Sequence, residues 1–517
     1  MQKSVRQSMA WLHSWLGLFL GWLLFCIFLT GTLTYYKQNL NLWTQPTLVN
    51  IQVNQQQTIQ KTVQYLQENA ADAQTWFIQV AHEHMPVNKI YWQKADGSYE
   101  SKILNPNTGE ELKLLDTPLG DFFYNFHFQL YAVPYYIGRL IVSFAAFIML
   151  ICLISGIITH KKIFTDFFTL RTFKGPRSYL DFHNISAVIA LPFFLTITFT
   201  GLAIFFYLYF PQGLQQLYPK NSFQYFEEIN TVSSHQNTPN LAPASMLPIH
   251  QIQDIVSKHL GQQLIYSIEF KKPNTQSATA SFIALQDNSI TKNSPQITLN
   301  AFNGHVLAHS KNTSPIATLN AGVYGLHMAK FAQPFLRLGL FFSGVLGCMM
   351  IASGLLLWSL KRQIQKSSTT FHLGYYWVNR LNMSTIIGLP IAISCSLLSN
   401  RINLIFNQSN SEIHAFFSVW LCCLILSLLI KQQFLWSVFL KLFILVTSSL
   451  IIANWFYLIW VLHIESSVHY LSFIYFDLLV LVFIVLAIFA LKYLKPIQQK
   501  VIHKIKKKSS SPQHEAS

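Results

Sequence analysis

Read for hydropathy, the chain alternates long apolar runs with two long polar stretches. Eight runs predict helices that cross a bilayer: 9–36, 133–159, 184–210, 334–360, 383–405, 413–431, 436–462 and 468–493. Each has about the 20 residues a helix needs to span a hydrocarbon core roughly 30 Å thick. The polar stretches, about 37–125 and 211–325, each predict a small α+β module. In the first, Gln56–Glu68 reads as a helix, followed by strands Lys89–Gln93, Tyr99–Leu104 and Glu110–Leu114, with a turn over Asn105–Gly109. In the second, Ile249–His259 reads as a helix, followed by strands Leu264–Lys271, Ala280–Leu285, Gln296–Leu299 and His305–Ala308, with a turn at Asn303-Gly304. The turn residues are those of ordinary hairpins.

The helix–module–helix order occurs twice, once in 9–160 and again in 184–360. His13 precedes Thr30-Gly31 by 17 positions, and His183 precedes Thr200-Gly201 by the same 17. His127 precedes Pro134 by seven, as His327 precedes Pro334; Arg139 precedes Ser155-Gly156 by 16, as Arg337 precedes Ser353-Gly354. A parallel repeat of this kind predicts a pseudo-twofold axis along the membrane normal. His160 lacks a counterpart, because Trp358 takes the matching position.

The repeat sorts the histidines into two equivalent pairs, His13 with His183 and His127 with His327. A lone interfacial histidine is usually a hydrogen-bonded structural residue. Two imidazoles facing each other across a four-helix bundle are how such a bundle holds a b-type haem. Two pairs, one above the other, would carry electrons across the membrane. His127 and His160 stand 33 residues apart on one run, about 50 Å along a straight helix, so they cannot share one metal. Gly17 and Gly21 follow His13 at i+4 and i+8, where small residues suit either a flat macrocycle or close helix packing. Arg139 and Arg337 stand where a guanidinium would pair with a haem propionate or snorkel to the interface.

Composition places the chain among membrane proteins: 51% hydrophobic, 15% aromatic and only 11% charged in 517 residues. The net charge of +16 is concentrated at the ends of apolar runs and in the tail Lys500–Lys508, a positive-inside bias and not a nucleic-acid footprint. It predicts both termini in the cytoplasm and both polar stretches outside. The six cysteines all lie in apolar runs, and no C-x-x-C-H attachment motif is present, so any haem is held non-covalently. The first apolar run is too long for a signal-peptide core and reads as a retained helix. The segments are therefore 1–36 (first membrane helix), 37–125 (first module), 126–210 (helices two and three), 211–325 (second module), 326–362 (helix four), 363–495 (helices five to eight) and 496–517 (basic tail).

Five blocks in order resemble the PepSY-associated transmembrane family: LHSWLGLFLGWLLFCIFLTG, FHFQLYAVPYYIGRLIV, SGIITHKKIFTDFFTLR, DFHNISAVIALPFFLTITFTG and GLHMAKFAQPFLRLGLFFSGVLGCMMIASGLLLW. The polar modules are similar to PepSY domains, whose terminal turn NPNTGEEL resembles. The resemblance covers residues 1 to about 362 and leaves the last four spans unassigned. It implies a mainly α membrane protein with a duplicated four-helix core, two periplasmic PepSY-like modules and about four extra C-terminal helices. One branch of the family comprises di-haem reductases of ferric siderophores at the bacterial inner membrane. The resemblance thus implies two b haems, a ferric siderophore as acceptor, and membrane quinol or a separate reductase as donor. The family's histidines fall at His13, His127, His160, His183 and His327, with His160 competing with His13 or His183 for the cytoplasmic-side haem. No G-x-G-x-x-G or large cytoplasmic segment offers a flavin or nicotinamide domain. The alternative is a periplasmic binding or regulatory protein, since PepSY modules also restrain proteases. A transporter finds less support, with no discontinuous helix and Asp477 the nearest intramembrane acid.

Overall fold

The structure, a computed structural model, describes residues 4–115, 117–160, 170–172, 176–222, 224–230, 241–285, 289–291, 294–310, 314–366, 372–409, 411–463 and 471–509. Lys161, Lys162, Lys174, Glu465 and His469 lie outside them. The chain divides into a helical unit (Met1–Thr44, Leu115–Tyr209, Pro334–Ser517) and a sheet unit (Gln45–Leu114, Phe210–Gln333). Elements are numbered along the chain.

The helical unit contains α1 (Val5–Thr34), α2 (Lys37–Thr44), α4 (Leu119–Gln129), α5 (Tyr135–Thr159), α6 (Pro176–Ile189), α7 (Leu191–Ile204) and α8 (Phe206–Tyr209). After the sheet unit it continues with α13 (Pro334–Lys366), α14 (Leu373–Met383), α15 (Leu389–Phe406), α16 (Glu412–Leu429), α17 (Gln432–Phe456) and α18 (Leu471–Ser509). Among the described residues seven helices are long and apolar enough to cross a membrane, and eight spans result if the bent pair α6–α7 counts as one. Polar side chains on these helices turn inward to their own backbone: the hydroxyls of Thr30, Thr32 and Thr34 each donate to a carbonyl one turn earlier. This satisfies the hydroxyls where no water is at hand. Ser4 and Gln7 form a reciprocal cap at the start of α1.

The third span departs from the straight helix expected over 184–210. It begins at Pro176, bends by 67° and resumes at Leu191. Pro192 causes the break: it has no N–H for the Val188 carbonyl, and its ring crowds the preceding turn. The C-terminal helices carry two further irregularities, π-helical turns at Ser384–Gly388 and Tyr457–Val461.

The sheet unit contains α3 (Gln55–Asn69), α9 (Pro211–Leu217), α10 (Gln224–Asn230), α11 (Ile249–Leu260) and α12 (Pro315–Met328). Its strands are β1 (Thr75–Gln79), β2 (Asn88–Gln93), β3 (Tyr99–Leu104), β4 (Ile265–Lys271), β5 (Thr279–Ala284), β6 (Gln296–Asn300) and β7 (Val306–Ser310). They form one antiparallel sheet in the order β3-β2-β1-β4-β5-β6-β7. The two polar stretches therefore share a sheet, joined where β1 pairs with β4 and Ile78 faces Ile268. Strand β1 is absent from the sequence expectation, and Glu110–Leu114 makes only an isolated bridge, Leu104 with Glu111, in place of a strand.

Alternate residues of the strands point to one buried face, where Trp76, Ile78, Ile90, Ile268, Phe270, Phe282 and Leu299 meet Ile59, Val63 and Leu66 of α3 and Ile252, Val256 and Leu260 of α11. The same turn closes both halves. The side chain of Asn105 accepts from the backbone of Asn107 and Thr108, and that of Asn300 accepts from Phe302 and Asn303. Four residues on, Gly109 and Gly304 take positive φ of 79° and 76°, a region that glycine enters without a Cβ clash.

Candidate functional site

Four helices of the helical unit, α1, α5, α6 and α13, bring His13 and His183 together. The two imidazoles stand 6.1 Å apart, centroid to centroid, with their planes at 76°. Each is held in the same way. Nδ1 of His13 lies 2.9 Å from the carbonyl oxygen of Cys152 on α5, and Nδ1 of His183 lies 2.8 Å from that of Met350 on α13. A carbonyl only accepts, so in each neutral ring Nδ1 carries the proton and Nε2 keeps its lone pair. A backbone acceptor on the far nitrogen is the usual way a protein fixes the tautomer and orientation of a metal-ligating histidine.

Glycine makes the room. A Cβ built on Gly156 would meet His13 Cε1 at 3.4 Å, and one on Gly354 would meet His183 Cε1 at 3.1 Å. The Ser155-Gly156 and Ser353-Gly354 pairs thus receive the imidazoles that the sequence spacing singles out. In both cases the carbonyl acceptor lies four residues before the glycine. Ser155 Oγ also approaches His13 Nδ1 at 3.4 Å.

His127 repeats the arrangement in the last turn of α4. Its Nδ1 is 2.8 Å from the carbonyl of Ile27 on α1, and a Cβ on Gly31 would fall 2.6 Å from its Cε1. The acceptor again precedes the glycine by four. His327 lies in the last turn of α12, in the sheet unit. Arg139, on the first turns of α5, is ringed by Phe128, Tyr135 and Phe205, with its guanidinium carbon 5.2–5.7 Å from their centroids. It donates to Tyr207 and Gln129, while its buried Nε has no partner. No carboxylate among the described residues pairs with it. Arg337 is half-buried on the first turn of α13, near enough to Tyr36 for its charge to act on that phenol. His160 stands immediately after α5, with Nδ1 buried and unpartnered, and is not one of the two facing rings.

The His13–His183 pair fits a haem on its own terms. Metal–imidazole bonds of about 2 Å place two axial imidazole centroids roughly 6 Å apart, which matches the observed separation. Among the described residues no three His, Cys, Asp or Glu side chains gather as a metal site. A bare ion here would have two protein ligands, too few for a closed tetrahedral shell, whereas a porphyrin iron takes only its axial ligands from the protein. His82 and His84 approach each other at 6.4 Å in the sheet unit, but among the described residues no third ligand joins them.

A second polar cluster was not anticipated. Arg401, fully buried on α15, donates to the Asn454 and Asn400 side chains and to the Trp43 carbonyl at 2.7–2.8 Å, and its guanidinium lies 3.4 Å from the Trp43 ring centroid. Asn400 reaches Glu412, and Asn454 reaches Asp477. Arg401 and Asn400 stand out in the sequence only as polar residues inside an apolar run. Nearer the other end of the C-terminal helices, Asn382 accepts from Trp22 of α1 and donates to the Leu355 carbonyl of α13, fastening α14 to both.

The helices, the sheet unit and this histidine geometry define a multi-pass helical membrane protein carrying an α+β module. The family model for the PepSY-associated TM region matches residues 10–361, and the chain belongs to that family. The match ends before α14, so Asn400, Arg401, Glu412, Asn454 and Asp477 lie outside it and only Trp43 of that cluster lies within it. No curated protein matches the chain.

Proposed function

We propose that this protein is a di-haem reductase of the bacterial inner membrane that passes electrons to ferric siderophores in the periplasm. The observation that carries the reading is the His13–His183 pair: two imidazoles with Nδ1 tied to backbone carbonyls, facing each other across four helices. His13 and His183 would hold the iron of one b haem. His127, held over Gly31 in the same manner, is a candidate ligand for a second. Arg139, a half-buried cation with no acidic partner among the described residues, and Arg337 would serve propionates. Haem, when bound, supplies one-electron chemistry.

The duplicated turns at Asn105 and Asn300, and the matching histidine–carbonyl–glycine sets on α1/α5 and α6/α13, support a duplicated core bearing two PepSY-like modules. The charge bias supports cytoplasmic termini and a periplasmic sheet unit. One electron converts each chelated Fe(III) to Fe(II), which such ligands bind weakly. Electrons enter from membrane quinol or a separate reductase. The binding-protein reading gives no role to the paired imidazoles.

The test uses purified full-length protein, reduced chemically under anaerobic conditions, freed of reductant and mixed with a ferric siderophore and a ferrous chelator. The expected result is haem reoxidation with stoichiometric appearance of Fe(II). Haem that stays reduced across a panel of ferric siderophores contradicts the reductase assignment.

A further inference from the structure

We propose that His160 and Trp358 are the twin hydrogen-bond donors for the two propionates of the haem held between His13 and His183, so that His160 positions the haem and is not an axial ligand. The proposal rests on the haem reading above and assigns residues that the facing imidazoles leave unexplained.

His160 follows Gly156 by four residues and Trp358 follows Gly354 by four. Those glycines are the ones against which His13 and His183 pack. Residues four apart share a helix face, so Trp358 lies on the face of α13 that meets His183, about one turn or 5.4 Å further on, and His160 closes α5 one turn beyond the glycine that meets His13. Both end in a buried nitrogen without a hydrogen-bond partner, Nδ1 of His160 and Nε1 of Trp358. An indole N–H only donates, so its missing partner is an acceptor.

Two further features specify an anion. Arg362 lies 3.9 Å over the Trp358 ring, and Arg6 donates to the carbonyl of Thr159, the residue before His160. Each donor thus has an arginine beside it. Trp358 is also fixed by Trp15, at 5.7 Å, and by Tyr375, at 6.3 Å. Two acceptors on one anionic ligand, one turn from the facing imidazoles, are what the two propionates of a haem would supply. A quinone has two acceptors but no charge for the two arginines to meet.

Removing a donor leaves a propionate more negative, which favours the ferric state. His160→Ala and Trp358→Phe are therefore expected to retain a six-coordinate low-spin haem while its midpoint potential falls. Trp358→His, which supplies the donor found at the twin position, is expected to stay near the wild-type potential. Spectroelectrochemistry of the full chain reads all three. Loss of the low-spin signal in His160→Ala makes His160 a ligand and overturns the assignment, as do unchanged potentials in both donor deletions. A wild-type protein without haem contradicts the underlying haem reading instead, so the two failures are distinguishable.

Discussion

Replacing His183 with alanine is expected to abolish the six-coordinate low-spin spectrum of one haem and to reduce haem content by that equivalent. The ring is held by the Met350 carbonyl and backed by Gly354, and among the described residues no other imidazole stands against His13. Disturbing only the outer partners of a metal ligand usually costs 10–100-fold in affinity, so losing the ligand itself is expected to cost more. His13→Ala is expected to behave in the same way, because its ring is fixed by the equivalent carbonyl and glycine on α5. Haem quantitation with electron paramagnetic resonance checks both. A wild-type low-spin signal in either variant removes that histidine from the ligand set.

The largest stability effect is expected from Arg401→Ala. Arg401 is fully buried and ties together α2 through the Trp43 carbonyl, α15 through Asn400 and α17 through Asn454; those amides in turn hold Glu412 of α16 and Asp477 of α18. Deleting the guanidinium leaves two buried carboxyl groups without their cation and a cavity over the Trp43 ring. Breaking a buried charged network from one side costs about 3–5 kcal/mol. Arg401→Lys is expected to recover only part of the loss, since an ammonium cannot reproduce three divergent N–H bonds or lie flat on the indole. Thermal unfolding of detergent-purified protein measures the change. An unaltered midpoint for Arg401→Ala shows that the cluster contributes no net stability.

The spans were legible because an apolar run of about 20 residues has few fates other than crossing a bilayer. The His13–His183 pairing was legible because duplicated spacing survives as an arithmetic regularity: 17 residues to Thr-Gly in both copies. What receives the rings was not. The acceptors are main-chain carbonyls of Cys152 and Met350, and a carbonyl has no side-chain signature. Strand β1 escaped because only Trp76 and Ile78 of its five residues are buried. Its place inside the sheet is fixed by β2 on one side and by β4, far along the chain, on the other. The bend at Ala190 was readable in principle from Pro192, but hydropathy averages over a proline. The Arg401 cluster gathers polar side chains from four helices and a main-chain carbonyl from a fifth, and contacts of that kind follow no local period.

The proposed role of the facing imidazoles is to hold haem iron. The most direct measurement is haem quantitation, with a reduced-minus-oxidised spectrum, on full-length protein purified from membranes of haem-replete cells. About two b-type haems per chain are expected, low-spin and six-coordinate, and releasable without cleaving a thioether. Protein that is purified free of haem and takes up none when haemin is added would contradict it.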